Sequence, residues 1–281
     1  MVPWGSSRFF FSLPCFLFEP DINFPYITYF MTRSATPSKA AKKSCCCCLP
    51  LFLSPIGRKW IVAITGIVLV LFVIGHLLGN LSIFVGPDAM NSYAAFLKST
   101  GEILWVVRIV LLACVVLHIW FTIALWRENL AARPQKYAVK NDLGTTVYAR
   151  LMRISGLTVL AFVLYHLAQF TWEAFNPEYK TWVDDQGRHD VYRMVVTAFS
   201  CPFVSGFYIL AVGLLGMHLS HGIASLFQTL GITTEKLRPV FEKGGLIIAW
   251  IIFLGFASIP TAVMFGLVKL PASLPTCPLC H

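Results

Sequence analysis

An all-α integral membrane protein with five transmembrane helices is the fold class this sequence predicts, and three observations predict it. The composition is 57% hydrophobic and only 12% charged, against about a quarter charged in soluble domains. Five apolar runs are each long enough for the roughly 20 residues a membrane helix needs. The basic residues cluster between those runs instead of forming a stripe or patch. The net charge of +9 is therefore a topology signal and not a nucleic-acid footprint. The partner it implies is a lipid bilayer.

Taken in order, residues 1–57 read as an N-terminal extension lacking ordered structure. RFFFSLPCFLF at 8–18 is too short to span and has no small-residue cleavage site, so it makes a poor signal peptide. Met31 opens a more ordinary N-terminus and is an alternative start. The membrane domain covers 58–270, with apolar segments at about 59–85, 103–126, 151–172, 198–230 and 244–268. In lipid every backbone polar group must be paired internally, so such runs are helices. The fourth is longer than a span needs, and Pro202 after Ser200 suits a helix start within it.

Loop charges orient the chain. Lys39, Lys42, Lys43, Arg58 and Lys59 precede the first segment, and Arg127, Arg133, Lys136, Lys140 and Arg150 lie between the second and third. The short 1–2 loop holds only Asp88, Lys98 and Glu102, and the 3–4 loop is acidic, with Glu173, Glu178, Asp184, Asp185 and Asp190. Lys236, Arg238 and Lys243 make the 4–5 loop mildly positive. The expectation is a multi-pass protein of a bacterial cytoplasmic (inner) membrane, N-terminus inside and C-terminus outside.

One stretch occurs twice. ITGIVLVLFVIGHL at 64–77 returns as ISGLTVLAFVLYHL at 154–167, placing His76 and His166 at the same offset. A histidine in hydrocarbon is costly and points to function. His76 lies 17 residues past Lys59 and His166 lies 16 past Arg150, which puts both about 25 Å from the inner end. The second and fourth segments run the other way: His118 is 16 residues from Glu102 and His218 is 16 from Pro202, in the inner half. Four of the five helices thus form a bundle with an outer pair, His76/His166, and an inner pair, His118/His218. Two stacked bis-imidazole sites are what two b-type haems need, with both axial positions filled for electron transfer. Gly66 and Gly156 sit at the inner pair's level and would let a macrocycle approach the backbone.

Other polar residues leave alternatives open. His221, one turn from His218, is not separated from it by spacing. Arg108, six residues into the second segment, is placed either to pair with a haem propionate or to snorkel outward. His189 reads as a solvated loop residue. Cys45–Cys48 next to a basic stretch suggest lipidation, a metal site or low complexity. The 271–281 tail ends in CPLCH, the form of a c-type haem attachment site, but nothing around it reads as a folded domain. Cys114 and Cys201 read as inert.

SPIGRKWIVAITG, FVIGHLLGNLSIFVGPDAMNSYAAFL, VLHIWFTIALWRENLAARPQKY, SGLTVLAFVLYH and GMHLSHGIASLFQTLGI together resemble the dihaem cytochrome b subunit of succinate dehydrogenase/fumarate reductase, b558 type, over about 54–268. The resemblance implies a five-helix anchor for an iron–sulfur subunit that carries a flavoprotein. Electrons would pass from succinate through two haems b to ubiquinone or menaquinone, or from quinol to fumarate. It implies His76, His118, His166 and His218 as ligands and favours His218 over His221. No Asp or Glu lies inside the five segments, so quinone protons are expected to exchange at the outer surface. Competing expectations are another dihaem membrane cytochrome b, or a haem-free transporter or assembly scaffold.

Overall fold

The long apolar runs leave the backbone no outside partners, and helices are what form. The computed structural model describes residues 54–132 and 147–270, with no side-chain description for 147–150; the expectations for the N-terminal extension before residue 54 and for the tail lie outside these residues. The described residues belong to a unit spanning Cys46–His281. Seven α-helices are found among them: α1 Pro55–Asn80, α2 Pro87–Ser99, α3 Glu102–Ala131, α4 Val147–Phe170, α5 Val191–Phe199, α6 Pro202–Thr229 and α7 Arg238–Met264. Short 3₁₀ turns cover Leu81–Phe84 and Pro177–Thr181. Five of the helices are long and apolar enough to cross a membrane.

Helix starts follow the local chemistry. Ser54 Oγ accepts from the Gly57 amide at 3.0 Å, and Pro55 follows it in the first turn. Pro87 and Pro202 open α2 and α6 in the same way. The spanning helices run somewhat past the apolar segments, so their end turns take in Glu102, Glu128 and Glu242. No carboxylate lies in their middle portions. Glu128 pairs with Arg58, tying α3 to α1.

Two helix pairs make the bundle, α1 with α3 and α4 with α6, and α7 packs along α6. Gly245 allows that last contact: a Cβ there would lie 2.9 Å from the Ser220 carbonyl oxygen, so the two backbones meet directly. Leu77, Leu219, Ile223, Ala249 and Ile252 fill the junction of α1, α6 and α7. By contrast α3 buries none of its residues.

The sequence reading missed one layer. The 1–2 loop is not merely short, because it folds as the 13-residue α2. Likewise the start of the fourth apolar run belongs to α5, which stops at Phe199 before Pro202 starts α6. These two helices pack together and cap one end of the bundle. Asn91, 1% exposed, holds the cap: its amide donates to Asp190 at 3.0 Å and Asp184 at 3.3 Å, and its oxygen accepts from the Tyr192 amide at 3.0 Å. Arg188 donates to Asp184 and Asp88 at 2.7 and 2.8 Å, bridging the loop to α2.

Burial works against a charged Asp184, but hydrogen bonds from the Arg188 side chain and backbone, Gln186 and Asn91 outweigh it and hold the carboxyl below its usual range. A depressed carboxylate contributes stability above its unfolded pKa, about 3.9, and loses it as pH falls through the folded value. The cap should therefore hold at neutral pH and loosen only in strong acid, seen as faster amide exchange over 184–192. Asn91→Ala leaves buried partners unpaired and should cost about 2–4 kcal/mol, measured by thermal unfolding in detergent.

Candidate functional site: two histidine pairs in the bundle

Each helix of the bundle supplies one histidine to the two pairs, and α6 carries His221 besides. His76 on α1 and His166 on α4 meet edge to face near the capped end, their ring centroids 5.7 Å apart. His118 on α3 and His218 on α6 also lie near one another. The structure thus brings together the partners that depth counting matched.

The inner rings are held by the repeated stretch. His118 Nδ1 lies 3.1 Å from the Val62 carbonyl oxygen and 3.2 Å from Thr65 Oγ1, whose own proton goes to the Ile61 carbonyl at 2.7 Å. His218 repeats the arrangement on α4: its Nδ1 is 3.4 Å from Ser155 Oγ, and it bonds to the Met152 backbone. Carbonyls only accept, so the ring proton of His118 sits on Nδ1 and Nε2 keeps its lone pair. Added Cβ atoms on Gly66 and Gly156 would touch the two rings, at 3.5 Å from His118 and 3.4 Å from His218. The neighbour these glycines face is thus an imidazole, whatever else approaches them.

The outer pair is held by different groups. Tyr208 Oη donates to Gln169 Oε1 at 2.9 Å and lies 3.3 Å from His166 Nδ1, so it accepts from the ring N–H. Both residues are buried. His76 stacks on Phe72 at 5.4 Å, with the Asn80 amide 3.4 Å from its ring nitrogens. Phe162 and Phe170 line the His166 side.

Of the remaining candidates, Arg108 lies over Trp105 on its own helix, 5.1 Å from the ring centroid, and is exposed. His221 interacts electrostatically with Glu242 of α7 and with His218; His218 is the one against Gly156. Arg153 lies over Trp126, 5.5 Å away, joining α4 to α3 at the end opposite the cap. His189 is not simply solvated, since its Nε2 is 3.4 Å from Glu173 Oε1. Thr65, Ser155, Tyr208 and Gln169 were given no role from sequence. The signal for the first two was present in the repeat, where Thr and Ser alternate before Gly; Tyr208 carried none.

The residues fit a flat metal macrocycle. Among the described residues no group of three or more His, Cys, Asp or Glu is placed to hold a bare metal ion; a macrocycle that brings its own donors would ask for only two imidazoles. The ring centroids of His76 and His166 are 5.7 Å apart, so one pair of imidazoles already meets in the bundle. Nδ1–H bonded to a carbonyl or hydroxyl is the outer-shell support that metal-bound histidines use.

The fold and site together define a multi-pass, all-helical membrane protein whose bundle presents two stacked histidine pairs. The chain is similar to the succinate dehydrogenase cytochrome b558 subunit of Bacillus subtilis (strain 168), 26% identical over 203 residues, which cover 70% of this chain and 89% of the relative. That likeness supports the b558 family that the motifs resemble. No protein-family profile matches the chain. No solved structure matches it either.

The tautomers are directly measurable. Imidazole ¹⁵N shifts of the ligand-free protein in detergent should report Nδ1–H for His118, His166 and His218. Gly66→Ala and Gly156→Ala should be tolerated, whereas Gly66→Leu and Gly156→Leu should displace the rings and cost about 1–3 kcal/mol in thermal unfolding.

Proposed function

We propose that this chain is the membrane-anchor cytochrome b subunit of a succinate:quinone oxidoreductase, holding one haem b between His76 and His166 and a second between His118 and His218. The observation that carries the reading is the treatment of three of the rings: for His118, His166 and His218, partners on neighbouring helices engage Nδ1 and leave Nε2 as a ligand. When bound, the haems supply one-electron carriers at two depths of the membrane. The similarity to a cytochrome b558 subunit of succinate dehydrogenase supports the same reading.

The protein's own residues do the positioning. Thr65 and Val62 orient His118; Ser155 and Met152 orient His218; Tyr208 with Gln169 orients His166. By the distribution of Lys and Arg, the capped end faces outward and the opposite end faces the cytoplasm. There the chain meets an iron–sulfur subunit, which carries a flavoprotein subunit. Ubiquinone or menaquinone is the membrane substrate. With no carboxylate in the middle of a spanning helix, its protons exchange at the outer surface.

A reduced-minus-oxidised spectrum of the purified protein should show b-type absorbance, with two haems per chain by extraction. His76→Ala and His166→Ala should each remove one haem and leave the spectrum of the other, while His118→Ala and His218→Ala should do the converse. No b-type absorbance in the wild type would sink the haem assignment. Loss of the same haem in His76→Ala and His118→Ala would overturn the pairing.

A further inference from the structure

The capped end holds a second pair of titratable groups, apart from the four bundle histidines. Glu173 is the one non-glycine residue with a positive φ among the described residues, at 51°. It follows α4 where the helix unwinds, with the Trp172 amide reaching back to Leu167 and the Ala174 amide to Ala168, each at 2.8 Å. Glycine is the usual occupant of such a position. A glutamate there is unfavourable for the backbone, and a backbone outlier of this kind is a pointer to function.

Its carboxylate is mostly withdrawn from solvent. The Glu173 side chain is 12% exposed, and its partner is His189, 28% exposed, with Nε2 3.4 Å from Oε1. His189 is held by a β-bridge to Val183 across the loop. Of the other charged groups of the loop, Asp184 is committed to Arg188, Asp190 to Asn91 and the Arg193 amide, the Arg193 guanidinium lies over Trp182 and Glu178 accepts from Asn176, while Lys180 and Asp185 are exposed. The loop is fastened above the outer histidines, because Phe175 packs on Tyr165, the neighbour of His166, at 5.3 Å. Glu173 lies seven residues beyond His166 in the chain.

We propose that His189 and Glu173 form the proton relay of the capped end, linking outside water to a quinone that reacts beside the His76/His166 pair. This rests on the succinate:quinone reading above. Oxidation of succinate to fumarate on the partner subunits supplies two electrons, and the quinone becomes quinol by taking two electrons and two protons. For each proton, the Glu173 carboxyl O–H breaks as a quinone O–H forms. His189, protonated from water, then returns a proton to the carboxylate. Quinol oxidation runs the same path backwards.

The test uses the complete complex in membranes, with succinate as donor and a short-chain ubiquinone or menaquinone analogue as acceptor. Glu173→Gln, Glu173→Gly and His189→Gln should lower kcat for quinone by about tenfold or more, leave KM within about twofold, and flatten the pH profile. Succinate-driven reduction of a soluble dye by the partner subunits should be unchanged. Glu173→Gly should melt no lower than wild type, since glycine suits the backbone. Unchanged quinone reduction in Glu173→Gln would overturn the relay, as would losses that track lowered melting temperature, the mark of a structural cap. A wild-type complex that oxidises succinate but reduces no quinone would overturn the functional reading and the relay with it.

Discussion

An imidazole enclosed in an apolar helical bundle needs a partner for its N–H, and that requirement organises this protein. A spanning helix has already used its own backbone groups. The partner must therefore come from a carbonyl that bends away from its helix, or from a hydroxyl on the adjacent one. Thr65 and Ser155 sit where both are available, three residues after Val62 and Met152. Each inner histidine is thereby tied to the spanning helix before it in the chain, α3 to α1 and α6 to α4, and the bundle is built from two such pairs.

This gives the repeated stretch two tasks. Its Thr/Ser–Gly end receives a neighbour's histidine, and its far end contributes a histidine of its own. One helix therefore joins both levels of the site. The second copy diverges where its surroundings differ: Tyr208 and Gln169 support His166, while His76 has Phe72 and Asn80. The two outer rings are consequently not equivalent, although their sequence offsets are.

The cap adds what the bundle lacks. Asn91, Asp190, Asp184 and Arg188 answer one another, so the two carboxylates nearest the apolar end, Asp184 and Asp190, pack there with hydrogen-bond partners. Phe199, Phe170 and Tyr208 form the aromatic layer between α5 and His166.

Hydrophobic length and charge placement determined the all-helical class and the five spans, because lipid allows an apolar run of that length little besides a helix. Counting residues from the charged ends determined which histidines share a level, since helical rise is constant. Sequence could not decide what the rings touch. The partners of His118 and His218 lie 53 and 63 residues away in Thr65 and Ser155, and that of His166 lies 42 away in Tyr208. Sequence marked the start of α6 at Pro202 but not the separate helix α5 before it, and it could not distinguish a solvated His189 from one paired with Glu173. Such contacts depend on how helices rotate and close about one another, and only the tertiary structure decided them.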